Sequence, residues 1–352
     1  MTRLYLDYAA TTPIHPDVQK AMIASLQHQF GNPSAKHYEE ANDAKQSVEQ
    51  ARQQVARLFG AQPSEIIFTS GATEGNNFLI KGIAEARKER GNHLITTKIE
   101  HPSVLEVFRY LETVGFDVTY LPVTSSGTVS AEDVQTAIRP ETTLVSIQWA
   151  NNEIGSIFPI EQIAEVCEKH DVFFHTDATQ AVGKLDVRLN RAESIVPIDA
   201  ISCSAHKFYG PKGVGAVYLR RDEYDTFPDI VPLLHGGGQE YGLRGGTIAV
   251  PQVVALGVAA QIAQKELQQN RQQLLRLEQI VIDIFNAKFK GYITWNHPPR
   301  DQKVPGLISL QIHGVNNEIL VKKLAPLLSI STGSACSSAS PSHVLQAIGQ
   351  SL

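Results

Sequence analysis

The stretch "EIIFTSGATEGNNFLIKGIAEARKERGNHLITTKIE", residues 65–100, decides the fold. Its apolar run Ile66–Phe68 stops at a turn of glycine and hydroxyl residues. The turn leads to a helix through "FLIKGIAEARKER" (78–90), and "HLITTKIE" (93–100) reads as the next strand. The same alternation extends in both directions. Upstream, "PDVQKAMIASL" (16–26) and "EEANDAKQSVEQARQQVARLFG" (39–60) have the apolar spacing of amphipathic helices, and Gly60 stops the second. Downstream come a helix from Pro102, a strand "DVTYLPV" (117–123), a strand "TLVSIQWA" (143–150) and a helix "IEQIAEVCEKH" (160–170). The strands "VFFHTDA" (172–178), "AISCSA" (200–205) and "GAVYLR" (215–220) complete the series. Strands interleaved with helices of this length predict an α/β fold, a mostly parallel sheet covered on both faces. Near residue 250 the texture changes. A long helical stretch over 253–285 leads into a short α+β pattern, "GLISLQIHGVNNEILVKKLA" (306–325), which reads as a second, smaller domain.

The totals narrow the function classes. A chain of 352 residues exceeds what one core usually supports, and 42% hydrophobic with 19% charged residues is ordinary globular composition. A net charge of −5 offers no basic field, so nucleic acid is not an expected partner. No run approaches the ~20 apolar residues of a membrane span, and "MTRLYLDYAATTP" (1–13) has no apolar leader region. Cys167, Cys203 and Cys336 are widely spaced and odd in number, which points to a reducing, cytoplasmic setting.

Ligands of parallel sheets bind beyond the carboxyl ends of the strands, so the residues after each apolar run are the candidates. "TSGATEGNN" (69–77) places glycine and hydroxyls ahead of a helix, where backbone N–H groups and the helix dipole can cup a phosphate. Taken alone, it also reads as a tight turn with a capping threonine. Asp177 ends an apolar strand, where a carboxylate is costly unless it meets a cation or a strong donor; a helix cap or structural ion pair also satisfies it. Lys207, in "SAHKFYGPKGVG" (204–215), follows another strand, either solvated or, beside a phosphate cup, a Schiff-base nucleophile. His101 either caps the helix from Pro102 or serves a ring or a proton. Together, a phosphate cup, an aspartate for a ring nitrogen and a lysine for an aldehyde are what pyridoxal 5'-phosphate requires.

With these residues in place, the chain resembles the pyridoxal-phosphate cysteine desulfurases of the IscS/NifS type, in the class V aminotransferase group. "SGATEGNN", "EHPSV", "NNEIG", "HTDATQAVGK", "SAHKFYGPKGVG", "HGGGQEYGLRGGT" and "STGSACSSAS" occur in that group's order, and the likeness runs from "LYLDYAATTP" to "VLQAIG". The resemblance implies fold type I of the pyridoxal-phosphate enzymes: a large domain (15–255) with a seven-stranded sheet, and a small domain (1–14 with 256–352) carrying a mobile Cys336 loop. It implies that Lys207 holds the cofactor aldehyde, Asp177 pairs with the ring nitrogen and Gln180 with the ring hydroxyl. Ala72, Thr73, Ser204 and His206 would hold the phosphate, Asn152 would lie against the cofactor and His101 would stack on the ring. Thr247 would reach the phosphate of the neighbouring subunit, implying a homodimer.

The implied reaction turns L-cysteine into L-alanine, with the sulfur kept on Cys336 as a persulfide for iron–sulfur scaffolds or other sulfur acceptors. Lys207 moves the Cα proton, and Cys336, as thiolate, attacks the substrate sulfur, aided by a lowered pKa or by a base such as His101. No resident metal is expected, only transient iron–sulfur ligation by Cys336. Small neighbours cannot anchor Cys336, so it is expected to travel, whereas Cys167 in a helix and Cys203 in a strand read as inert core thiols. Two departures stand out: fewer residues than usual separate "SACSSAS" from "PSHVL", and no residue maps onto the group's C-terminal arginine for the substrate carboxylate. Nothing in the sequence assigns that task to Arg244. A cyst(e)ine or selenocysteine lyase without a persulfide, and an impaired scaffold of the same fold, are the alternatives.

Overall fold

The computed structural model describes residues 3–190, 195–332 and 342–350. Strand β1 (Leu4–Tyr5) and helices α1 (Pro16–His28) and α2 (Glu39–Phe59) precede the alternating region. That region runs β2 (Ile66–Thr69), α3 (Ala72–Ala86), β3 (His93–Thr97), α4 (Pro102–Thr113), β4 (Asp117–Leu121), α5 (Ala131–Ala137) and β5 (Thr142–Ser146). It continues through α6 (Ile160–Lys169), β6 (Phe173–Asp177), β7 (Ala200–Ser204) and β8 (Gly215–Leu219). Then come the 39-residue helix α7 (Val250–Lys288), β9 (Ile293–Trp295), β10 (Leu310–Ile312), α8 (Asn317–Leu324), β11 (Leu328–Ser329) and α9 (His343–Ala347).

Seven strands form one sheet in the order β2-β8-β7-β6-β5-β3-β4. Only β8 runs against its neighbours, so β2, β3, β5, β6 and β7 all end at one edge. Side chains alternate across the sheet, as the two-residue period of a strand requires. Ile67, Leu144, Phe173, Val217 and Leu219 join the core under α3 and α4. Ile66, Phe68, Val145, Phe174, Ala216 and Tyr218 face the opposite core, built with α2, α6 and α7. Both faces are therefore dry, which explains why the strands read as unbroken apolar runs.

Helix α2 stops where its sequence says it must. Gly60 takes φ +64°, and Ala61 N–H donates to Ala56 O at 2.9 Å, satisfying a carbonyl of the last turn. Helix α3 begins at Ala72, earlier than its apolar residues suggest, because the polar run 72–77 is its first turn and a half. Helix α5 has a signal the strand–helix rhythm passes over. Ser130 Oγ accepts from Asp133 N at 3.1 Å while Asp133 Oδ2 accepts from Ser130 N at 2.8 Å, a reciprocal cap.

Beyond α7, β9 and β10 pair antiparallel, and β11 pairs in parallel with β1 from the amino end. Among the described residues no helix is long and apolar enough to cross a membrane.

Candidate active site

The loops that follow β2, β3, β5, β6 and β7 lie at one edge of the sheet, and the candidates other than Thr247 and Cys336 sit in or beside them. The first loop shapes an anion cup. Gly71 caps α3 at φ +151°, a conformation other residues rarely adopt, and no side chain caps the helix. The first intrahelical bond runs from Gly75 N–H to Gly71 O at 3.1 Å, so the amides of Ala72, Thr73 and Glu74 have no acceptor within the helix. No threonine caps the helix; the Thr69 hydroxyl donates to Gly71 O at 3.0 Å and closes the turn. A Cβ on Gly71 would come within 3.3 Å of Ser204 Oγ, which places the end of β7 beside these amides. His206 sits two residues beyond Ser204, its Nδ1 3.1 Å from Thr11 Oγ1. Burial first, then Lys207, Lys212 and Lys184, push its pKa down to about 4, so it is neutral at pH 7 in a positive field.

Asp177, at the end of β6, is 7% exposed. Its Oδ1 accepts from Thr179 N at 2.9 Å and its Oδ2 from Asn76 Nδ2 at 2.8 Å. Asn76, which the sequence reading passed over, is fully buried; its Nδ2 also donates to Ser103 Oγ at 2.9 Å, and its Oδ1 accepts from Ser202 Oγ. Asn76 lies on the buried stripe of α3 with Ala72, Leu79, Ile80 and Ile83, and a polar residue on that stripe was a readable signal. His101 caps α4 through Nδ1, which accepts from Ser103 N at 3.1 Å. Burial dominates the lowering of its pKa; Asp177 opposes it, and Lys207 and His343 add to it.

Lys207 and Gln180 converge on one oxygen. Ala9 O accepts from Lys207 Nζ at 2.7 Å and from Gln180 Nε2 at 2.9 Å, and Ala10 O accepts from Lys207 Nζ at 2.8 Å. Pyridoxal phosphate presents a ring oxygen beside its aldehyde, so a lysine bonded to the aldehyde and a donor to the ring oxygen must stand this close together. A carboxylate for the ring nitrogen, uncapped helix amides beside a serine, and an amine with an amide sharing one acceptor fit the cofactor.

The sequence profile described as Aminotransferase class-V matches residues 4–352. The chain belongs to the class-V aminotransferase family. It is 46% identical over 349 residues to the cysteine desulfurase of Mus musculus, a match covering 98% of this chain and 74% of that protein. A solved structure of a NifS-like protein superimposes with TM-score 0.89 at 37% identity, over 99% of this chain and 90% of that one. A structure described as SspA in complex with cysteine gives TM-score 0.84 at 42% identity, over 99% and 95% of the two chains. Pyridoxal phosphate is the cofactor of this class-V family, and the seven-stranded α/β architecture is that of its fold type I members.

Other expected positions in this class-V chain are less tightly joined. Asn152 is half-buried and Thr247 exposed, and among the described residues neither side chain makes a hydrogen bond. The neighbouring Asn151 instead pins its turn, donating to Ile99 O at 3.0 Å and accepting from Glu153 N at 2.8 Å. Cys336 lies outside the described residues. Arg244 forks onto Glu74 at the start of α3, Nε to Oε1 at 2.9 Å, so it steadies the glycine loop against the anion cup rather than standing ready for a substrate carboxylate. Cys167 and Cys203 are buried free thiols, the latter pushed up to about 12 by burial, and neither is a nucleophile at neutral pH.

Proposed function

We infer that this chain is a pyridoxal-phosphate-dependent cysteine desulfurase acting on L-cysteine. The observation that carries the reading is the convergence of Lys207 and Gln180 on a single oxygen. It occurs in a chain 46% identical, almost end to end, to a cysteine desulfurase. When bound, the cofactor supplies an electron sink for the substrate's Cα–H bond. The chain's own residues do the rest. The α3 amides of Ala72 and Thr73, with Ser204 and His206, would hold the phosphate; Asp177 would keep a proton on the ring nitrogen; Gln180 would donate to the ring oxygen and Asn152 would contact the cofactor. His101 would lie against the ring, and the Lys207 amine would move the Cα proton.

Cys336, as thiolate, forms a bond to the substrate sulfur while the Cβ–S bond breaks; the carbon keeps that electron pair and gains a proton. The balance is cysteine plus enzyme thiol giving alanine plus enzyme persulfide, with no external oxidant or reductant. The persulfide then serves iron–sulfur scaffolds or other sulfur acceptors. A homodimer, with the exposed Thr247 reaching the other subunit's phosphate, belongs to the same reading, as does a cytoplasmic setting. So does a division into 15–255 and 1–14 with 256–352, supported by the separate β1–β11 and β9–β10 pairs.

Incubation with L-cysteine is expected to give alanine and a mass gain of one sulfur on Cys336. Cys336→Ala should lose both, and alanine production at the full rate in that variant refutes the persulfide route. Lys207→Ala is expected to abolish the cofactor adduct trapped by borohydride and to lower turnover by on the order of 10³-fold.

A further inference from the structure

His101 Nδ1 receives two donors from one residue. Ser103 N–H reaches it at 3.1 Å, and a backbone amide can only donate, so this nitrogen presents a lone pair. Ser103 Oγ lies 2.8 Å from the same nitrogen. That hydroxyl already accepts from Asn76 Nδ2 at 2.9 Å, so its own hydrogen is left for the imidazole. Asn76 in turn cannot flip. Its NH₂ end faces the Asp177 carboxylate at 2.8 Å, an acceptor, and its oxygen accepts from Ser202. The direction of every bond from Asp177 to His101 is thereby fixed.

We propose that Asn76 and Ser103 are positioning residues that lock His101 into the tautomer carrying its proton on Nε2. In this tautomer the free edge of the ring is a donor. His101 therefore delivers a hydrogen bond to whatever lies against Nε2 and does not withdraw a proton from it. The Nε2 edge is thus no base for the Cys336 proton, and His101 is suited instead to hydrogen-bonding an acceptor atom of the bound substrate. The same chain of bonds ties Asp177 to His101, so a change at Asn76 is felt at both. The inference rests on the assignment of Asp177 and His101 to the cofactor made above, but the tautomer is a property of the protein alone.

The test is ¹⁵N nuclear magnetic resonance of the apo protein labelled in histidine, with His101→Gln to assign the signal. The wild type is expected to show an unprotonated Nδ1 and a protonated Nε2 near pH 7.5. Ser103→Ala should bring mixed tautomers, and Ser103→Thr, which keeps the hydroxyl and the amide, should restore the single form. Nδ1 protonation in the wild type, or an unchanged spectrum in Ser103→Ala and Asn76→Ala alike, overturns the proposal. In the holoenzyme, Ser103→Ala should lower kcat about tenfold with KM little changed, the mark of a step served by His101 rather than of binding. Equal losses in kcat and in thermal stability, with the tautomer intact, would make Ser103 merely structural and would also overturn it. Failure of the wild type to develop a visible cofactor band would refute the cofactor assignment, while the apo spectrum would still decide the tautomer.

Discussion

Lys184 Nζ donates to Gln180 Oε1 at 2.6 Å, and Gln180 Nε2 donates to Ala9 O at 2.9 Å. An ammonium can only donate and a carbonyl only accept, so the two partners fix which end of the amide faces the cofactor position. Burial first, and the charge of Lys207 second, push the Lys184 pKa down to about 7, yet its hydrogen bond to the amide survives in either protonation state. Lys184→Met removes the donor and frees the amide to turn. Cofactor affinity, measured by titrating apo protein with pyridoxal phosphate, is expected to fall about tenfold, one charge-assisted hydrogen bond's worth. Lys184→Arg should recover most of it.

Arg52 and Glu240 form a buried bidentate pair, at 2.7 and 2.9 Å, beneath the edge strand β2. Glu240 also accepts from Phe68 N at 2.6 Å, while Arg52 donates to Ile66 O at 2.7 Å and lies 4.7 Å over the Phe68 ring. The pair holds Glu240 and Tyr241 in left-handed conformations (φ 46° and 61°) and so sets the path of the glycine loop that leads to Thr247. Glu240→Ala strands a buried guanidinium and is expected to cost about 3–5 kcal/mol in urea unfolding. Arg52→Met combined with Glu240→Leu should recover much of that loss.

Glu100 is 1% exposed and its pKa is pushed up to about 8 by burial, against the hydrogen bonds from Thr97 and Gln148 that favour the charged form. The folded protein keeps a proton that the unfolded chain has already released above its ordinary value of 4.5, so stability is lost as pH rises from there through about 8. Glu100→Gln imitates the protonated carboxyl. It should flatten the fall in Tm between pH 5 and pH 9, and an unchanged slope would refute the assignment.

The acid limb has the opposite origin. His175 is fully buried on β6, its Nδ1 bonded to Ser146 Oγ at 2.8 Å, and burial pushes its pKa down to about 4. His206 is lowered to about 4 as well. Between their ordinary 6.5 and 4 the unfolded chain takes up protons that the folded protein refuses, so stability falls as pH drops through that window. Replacing His175 by Gln should shallow this decline, as measured by denaturant unfolding at pH 4.5 and pH 7.

The sheet was legible because its strands are buried on both faces and separated by helices whose stripes and stops, Gly60 among them, survive in the sequence. Lys207 and Asp177 were legible because a charge at the end of an apolar run is conspicuous. Asn152 and Thr247 rested on resemblance, and no local bond marks them. Ala9 could not be read at all, since it contributes a carbonyl and every residue has one. Asn76 was readable but hidden by its company, a polar residue among the polar residues of an unrecognised first helical turn. Helix α5 was lost for a similar reason: seven residues carry too little apolar pattern, and only its reciprocal cap gives it away.

Strand β1 has no partner near it in sequence; it waits for Leu328 and Ser329. The segment it leads into supplies the carbonyls of Ala9 and Ala10 and the Thr12 hydroxyl, which donates to His206 O at 2.9 Å. During synthesis Leu4 and Tyr5 therefore stay without their strand partner until Leu328 and Ser329 have emerged. Loop closure over such a span is slow, so vitamin capture waits until that pair has closed.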